Sequence, residues 1–259
     1  MPKIMGILNV TPDSFTDGGL YFDTESAIRR GLQMIDEGAD LIDIGGESTR
    51  PFSKNISIDE ELRRVIPVIQ ALKGKIPLSI DTVKPEVADL ACREGATLIN
   101  DIQGFKSKAM LEIAKKHDTE IFIMHMQGTP QDMQVNPIYN EGVVGSIKCF
   151  FEDRIQTALD QGIKKERIIL DPGIGFGKTV DDNVKILHNL REFKGLGYPL
   201  LVGLSRKSFM TKILQKPPAK LFGPTIAMNT LIWRDADYVR VHDVEAHRDV
   251  FSLLQYGWQ

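Results

Sequence analysis

Short apolar runs alternate with amphipathic segments along the whole chain. The runs occupy residues 4–8, 41–44, 78–80, 98–99, 121–124, 168–170, 200–203 and 238–241. They are continuous rather than alternating, as expected for parallel strands covered on both faces. A helical pattern follows each run. Over 58–73, Leu62, Val65, Ile66, Ile69 and Leu72 recur on one helix face, and Ser57 with Glu60 predicts a capping box. Pro85 suits the first turn of the next helix and Gly95 its end. Further helices are expected over 24–37, 108–117, 139–161, 180–193, 207–214 with 225–233, and 245–256. Gly38 and Gly162 stand where helix-ending glycines belong.

Strict strand–helix alternation implies a parallel sheet with right-handed crossovers. Eight units favour closure into an α/β fold of the (β/α)8 TIM-barrel type. The 259 residues suit one such domain spanning 1–259. An open doubly wound sheet is the alternative, but it would more often carry a glycine-rich turn after the first strand, where this chain reads NVTPDSF. The longest stretches without periodicity are 11–22, 47–57 and 127–138, and long loops after strands are usually functional lids.

Composition narrows the function classes. Thirty-two basic residues against 35 acidic give a net charge of −3, which provides neither a nucleic-acid footprint nor a polybasic membrane signal. The apolar run near the N-terminus is too short for a signal peptide and ends at Pro12. No segment approaches the ~18 apolar residues of a membrane span. Cys92 and Cys149 lie far apart in helical segments, without a CxxC motif, and are expected to be reduced thiols. These features suggest a cytoplasmic protein with no nucleic-acid or membrane partner.

The candidate chemistry lies at the ends of the strands. In chain order these carry Asn9; Asp43 running into Glu47, Ser48, Thr49 and Arg50; Asp81; Asn100 and Asp101; His125; Asp171; Ser205, Arg206 and Lys207; and Arg240, His242 and Asp243. In a barrel these positions converge on one face, where barrel enzymes keep their active sites. Asp81, Asn100 and Asp171 are acceptors suited to a ligand edge rich in N–H groups. Arg50, Lys207, Arg240 and His242 are donors suited to phosphates or carboxylates. Asn9, Asp13 and Asp17 supply the hard oxygen atoms that Mg2+ prefers beside a polyphosphate. The segment 205–208 opens a helix, whose free N–H groups attract an anion. Single residues also have plainer readings. Phe176 and Met126 suit packing, His125 suits a hydrogen-bonded strand end, and Asp43 suits a structural role directed at neighbouring loops.

Eight segments together carry a resemblance: GILNVTPDSFTDGG (6–19), IDIGGESTRP (42–51), SIDTVKPEV (79–87), LINDI (98–102), MHMQGTP (124–130), LDPGIGFGK (170–178), VGLSRKS (202–208) and RVHD (240–243). In order and at every strand end, they closely resemble the dihydropteroate synthase family. The resemblance implies a (β/α)8 barrel, generally a homodimer, that is the target of sulfonamides. It implies the condensation of 6-hydroxymethyl-7,8-dihydropterin pyrophosphate with p-aminobenzoate to 7,8-dihydropteroate and pyrophosphate in folate synthesis.

Position by position, the resemblance implies a pterin site of Asp81, Asn100, Met126, Asp171, Phe176, Lys207 and Arg240. Pyrophosphate falls to Asn9, Thr49, Arg240 and His242, with Mg2+ at Asn9, Asp13 and Asp17. The p-aminobenzoate site falls to Phe15, Thr49, Arg50, Pro51 and Ser208, on two loops that close after the pterin pyrophosphate has bound. Asp13, Asp17, Arg50, Lys207 and Arg240 are the residues implied in catalysis. Phe52 departs from the small residue common there, and Gln103-Gly104-Phe105 and the segment 216–224 are individual to this chain. Two rival readings share the barrel. A pterin-dependent methyltransferase module would need no pyrophosphate cluster, yet Asn9, Arg240 and His242 are present. A non-catalytic pterin-binding paralogue would be expected to have a broken first or second loop, and both motifs are intact.

Overall fold

Eight parallel strands share one sheet in this computed structural model, which describes residues 1–11, 22–48 and 55–257. They are β1 (Lys3–Asn9), β2 (Leu41–Gly45), β3 (Leu78–Asp81), β4 (Leu98–Asp101), β5 (Glu120–Met124), β6 (Ile168–Asp171), β7 (Leu201–Val202) and β8 (Tyr238–Val241). Their spatial order is β6-β5-β4-β3-β2-β1-β8-β7, and a parallel bridge between Leu170 and Leu200 joins the two ends of that order. The expected barrel is thus observed, and the open doubly wound sheet is not.

Side-chain alternation along the strands builds two cores. Ile4, Leu8, Ile42, Ile44, Ile80 and Ile99 face outward and belong to the large cluster shared with the helices. Met5, Leu41, Leu98, Phe122, Ile169, Leu201 and Tyr238 form a separate buried plug inside the barrel. With its floor filled, the barrel leaves its polar inward positions to the C-terminal ends of the strands.

The surrounding helices are α1 (Phe22–Asp36), α2 (Ile58–Leu72), α3 (Pro85–Glu94), α4 (Lys108–His117), α5 (Val143–Asp160), α6 (Val180–His188), α7 (Leu190–Lys194), α8 (Ser208–Leu214), α9 (Phe222–Leu231) and α10 (Val244–Gly257). Four features differ from the sequence reading: α9 runs from Phe222 to Leu231 rather than over 225–233, and the other three have a visible local cause. The helix expected over 180–193 is two helices, because the Asn189 side chain donates to the Lys185 carbonyl (2.7 Å) and interrupts the ladder. The helix expected from 139 begins at Val143, after Gly142 at φ +82°. Ser57 does cap α2 by accepting from the Glu60 N–H (3.2 Å), but the Glu60 carboxylate turns to Arg63 and Arg64 instead of completing a capping box. The reciprocal box occurs at Thr179 and Asp182, opening α6.

Candidate active site

Four strands bring the acceptors and the arginine together. Asp81 ends β3, Asp171 ends β6, Asn100 is the penultimate residue of β4, and Arg240 lies on β8. All three acceptors are buried. Arg240 Nη2 donates to Asp81 Oδ2 at 2.9 Å, which ties the eighth strand to the third across the barrel. Arg240 also donates through Nε to Asp43 Oδ2 at 2.7 Å, and its Nη2 lies 2.6 Å from the same oxygen. Asn100 Nδ2 donates to that oxygen too, at 3.0 Å. Asp43 is therefore not directed at neighbouring loops. It faces into the barrel, fully buried beneath the site. The alternation Leu41-in, Ile42-out, Asp43-in, Ile44-out is the signal that places it there.

The electrostatics follow from burial. Burial raises the Asp81 carboxyl to about 7, with Asp43 adding to the rise and Arg240 opposing it. Burial also raises Asp171, against the Gly173 N–H that donates to its Oδ1 at 2.7 Å. Lys207 is lowered to about 8, first by burial and then by Arg240, while Asp171 and Asp81 pull the other way. Two carboxylates and two cations therefore sense one another in a largely water-excluded space. Asp101 serves a different purpose: its oxygens accept from the N–H groups of Gln103 and Phe105 and shape the loop after β4.

The loop from Asp171 to Lys178 is fixed by capture of its carbonyls. Gln134 Nε2 donates to the Gly175 carbonyl (2.6 Å), Lys178 Nζ to that of Phe176 (2.8 Å), and the Tyr139 hydroxyl to that of Gly177 (2.7 Å). Gly173 and Gly177 have φ of +66° and +63°, and a Cβ at either would lie 2.0 or 2.4 Å from a backbone carbonyl oxygen, so only glycine fits. The loop presents the half-buried Phe176 ring, with Lys207 Nζ 4.3 Å from its centroid. Sequence reasoning missed Lys178. In a Gly-rich loop it reads as a surface lysine, yet it is 2% exposed and 3.0 Å from His125 Nδ1. Burial and the neighbouring Lys178 charge push His125 down to about 2, so it is a neutral, packed strand-end residue. Met126 packs with Ile102, Met124 and Met133, against Val83 and Phe176, at the rim.

The loop after β7 supplies the remaining donors. His242 N–H donates to Ser205 Oγ (3.3 Å), and Ser205 Oγ lies 2.8 Å from His242 Nδ1. With the hydroxyl donating to Nδ1, the imidazole proton rests on Nε2, a donor suited to phosphate oxygen. Arg206, at φ +58°, turns its guanidinium to Asp243 (2.8 Å). Lys207 stands at the N-cap of α8, and the exposed Ser208 is its first residue. A cavity of about 170 Å³ borders Asp81 and runs between Glu47, Thr82, Lys84, Gln103 and Gln131.

Asn9, half-buried, ends β1 beside Gly45, where an added Cβ would lie 3.7 Å from its Oδ1 and 3.6 Å from Asp81 Oδ2. Among the described residues no group of three or more His, Cys, Asp or Glu side chains is arranged to hold a metal. Asp13, Phe15, Asp17, Thr49, Arg50, Pro51 and Phe52 lie outside the described residues. Among the described residues no helix is long and apolar enough to cross a membrane, and both cysteines are free.

Comparison with known proteins identifies the family and agrees with the fold. Residues 5–242 match the family model described as pterin binding enzyme. The dihydropteroate synthase of Synechocystis sp. is 45% identical over 99% of this chain and 90% of its own length. A Clostridium difficile dihydropteroate synthase structure, determined in the presence of pteroic acid, superposes with a TM-score of 0.92 at 47% identity, covering 99% of this chain and 97% of that one. The Yersinia pestis dihydropteroate synthase in complex with a sulfonamide drug gives 0.93 at 41% identity, covering 98% and 94%.

Proposed function

This chain belongs to the dihydropteroate synthase family of pterin-binding enzymes, and from that membership we propose how the residues at its barrel mouth carry out the family's reaction. The reaction condenses 6-hydroxymethyl-7,8-dihydropterin pyrophosphate with p-aminobenzoate, giving 7,8-dihydropteroate and pyrophosphate. The observation that carries the site assignment is the convergence of Asp81, Asn100, Asp171, Lys207 and Arg240 from five βα units. Asp81, Asn100 and Asp171 accept from the N–H edge of the pterin, Lys207 donates to its carbonyl, and Phe176 and Met126 wall the ring. Arg240, His242 through Nε2–H, Asn9 and Thr49 take the pyrophosphate. Ser208, with Phe15, Thr49, Arg50 and Pro51, receives p-aminobenzoate.

The bond that breaks joins the pterin methylene carbon to the pyrophosphate oxygen, and pyrophosphate leaves with the electron pair. The bond that forms joins that carbon to the aniline nitrogen of p-aminobenzoate, which then loses one proton. The electron-rich ring supports departure before attack. The aniline is weakly basic, so no strong general base is required. Arg240 and His242 stabilise the leaving charge, while the buried carboxylates and Lys207 orient the ring. The donor set Asn9, Asp13 and Asp17 is all hard oxygen and suits Mg2+, which when bound neutralises pyrophosphate charge. Of the three, Asn9 lies within the described residues, at the end of β1 beside Gly45.

We also infer a homodimer, supported by the outward apolar side chains of α8 and α9, and a cytoplasmic location, supported by the two free thiols. We further take residues 1–259 as one domain, supported by the single eight-stranded sheet. The test of the assigned reaction is pyrophosphate release with and without p-aminobenzoate. Release that depends on p-aminobenzoate and yields dihydropteroate is expected; methyl transfer, or pterin binding without turnover, would replace this reading with one of its two rivals.

A further inference from the structure

We propose that Asp43, which lies outside the expected ligand set, is the positioning residue that presents Arg240 and Asn100 to the pterin pyrophosphate. The inference rests on the ligand roles given above to Arg240 and Asn100. Asp43 is fully buried, so no ligand above the site reaches it, and it acts through its neighbours. A single oxygen, Oδ2, gathers Arg240 Nε at 2.7 Å, Arg240 Nη2 at 2.6 Å and Asn100 Nδ2 at 3.0 Å. The two residues come from β8 and β4, which flank the β3-β2-β1 segment of the sheet, and Asp43 sits on the middle strand of that segment.

Two consequences follow from this geometry. Arg240 has a long side chain, and its contact with Asp81 alone would be made through Nη2, about which the guanidinium plane could turn. The second carboxylate, bonded through Nε, fixes that plane and the donors left for the ligand. Asn100 carries one donor end and one acceptor end. Asp43 takes the donor end, so Oδ1 is left as a buried acceptor without a partner among the described residues. An acceptor so oriented matches a ligand N–H edge and rejects a ligand carbonyl at the same point. Asp43 thus selects which face of Asn100 the pterin meets.

The charge of Asp43 provides a second readout. The charged groups that act on Asp81 are Asp43 on β2, Glu61 on α2, Asp101 on β4 and Arg240 on β8, and Lys207 senses Asp81 from the loop after β7. After burial, Asp43 is the largest cause raising Asp81. Removing that charge while keeping the side-chain shape lets Arg240 pair with Asp81 alone, and the Asp81 pKa falls.

The experiment compares Asp43→Asn with Arg240→Lys in steady-state kinetics across pH. The expected result for Asp43→Asn is a loss in kcat/KM for the pterin pyrophosphate of about tenfold to a hundredfold, the range for one charge-assisted hydrogen bond. Its acid limb should also move below that of the wild type. A solely structural role would lower stability without moving the acid limb. If Arg240→Lys impairs turnover while Asp43→Asn keeps wild-type kcat/KM and acid limb, the inference is wrong but the site assignment stands. If Arg240→Lys is itself without effect, the site assignment fails and this inference with it. Should Asp43→Asn not fold, 15N NMR of the wild type decides. A slowly exchanging Arg240 Nε–H signal, retained when the pterin pyrophosphate binds, is expected; exchange as fast as that of exposed arginines would overturn the proposal.

Discussion

Lys207 Nζ stands 4.3 Å above the centroid of the Phe176 ring, so the loops after β7 and β6 meet through a cation and an aromatic face at the rim of the site. The ammonium is partly withdrawn from water, and burial first, then Arg240, lower its pKa to about 8. It is charged below that pH and neutral above it. The profile of kcat/KM for the pterin pyrophosphate should therefore fall on the alkaline side near pH 8, reporting the free enzyme. In Lys207→Met that limb should disappear together with most of the activity. Phe176→Leu should keep the limb and lose about 0.5–1.5 kcal/mol of pterin binding, the value of one aromatic ring contact, measured by calorimetry. A profile for Lys207→Met that retains the wild-type alkaline limb would assign the titration to another group.

Asp81 links pterin recognition to stability. Its folded pKa of about 7 lies above the ordinary carboxylate value because burial, and then Asp43, disfavour the anion. A group raised on folding contributes stability that is fully present below its unfolded pKa and is lost as pH rises through the folded value. The empty protein should thus lose stability between about pH 4 and pH 7 through this group. Asp81→Asn should remove that loss, so its melting temperature at pH 8 should match or exceed that of the wild type. The same substitution, like Asp171→Asn, removes an acceptor facing ring N–H donors and should weaken pterin binding by about 1.5–3 kcal/mol. Calorimetry and thermal melts on the same samples test both halves. Unchanged affinity in both variants would remove these carboxylates from the site.

Lys84 bridges Glu47 and the buried Glu61 at 2.5 Å each, at the start of α3. Glu61 is almost completely enclosed, and its Oε1 has no hydrogen-bond partner among the described residues. Lys84→Met would leave that carboxylate uncompensated, a change that typically costs about 3–5 kcal/mol. Adding Glu61→Gln should recover a large part of the loss, because it removes the stranded charge. Chemical denaturation of wild type, Lys84→Met and the double variant forms the test. Additive losses in the double variant would show that the pair is not coupled.

The fold was legible because each strand is a continuous apolar run and each helix has its own periodicity, so all eight βα units could be placed from the sequence. The boundaries shifted where a single side chain competes with the backbone, as Asn189 does between α6 and α7. The strand-end acceptors were legible for a related reason: an acid closing an apolar run is conspicuous. What could not be read were bonds made across the barrel. Ser57-x-x-Glu60 and Thr179-x-x-Asp182 are equally plausible capping boxes, and only the nearby Arg63 and Arg64 divert Glu60 from the first. Lys178 is buried by loops distant from it in sequence, and no local pattern in GFGK announces that. Asp43 lay within reach, since period-two alternation places it inside, but its partners Arg240 and Asn100 are 197 and 57 residues away.

Helix α9 is polar on its inner face and apolar on its outer face. Thr225 and Asn229 are fully buried. Thr225 Oγ1 accepts from the Arg206 N–H at 3.3 Å, and Asn229 Nδ2 lies 2.9 Å from His247 Nε2 on α10. That contact is set by the far side of the ring, where His247 Nδ1 donates to the Asp243 carbonyl at 2.5 Å. Meanwhile Phe222 is 48% exposed and Leu231 74%, and Ile213 and Leu214 at the end of α8 are exposed as well. A surface helix normally shows the reverse pattern. An outward apolar face of this kind is stabilised when a second copy of the chain covers it, and the proposed homodimer supplies that cover. Phe222→Glu with Leu231→Glu places two charges where the copies would meet. Sedimentation velocity should then show a shift from dimer to monomer, while the helix content by circular dichroism is retained, because neither side chain supports the barrel. A wild type that sediments as a monomer, or a double variant that remains dimeric, would remove this face as the dimer contact.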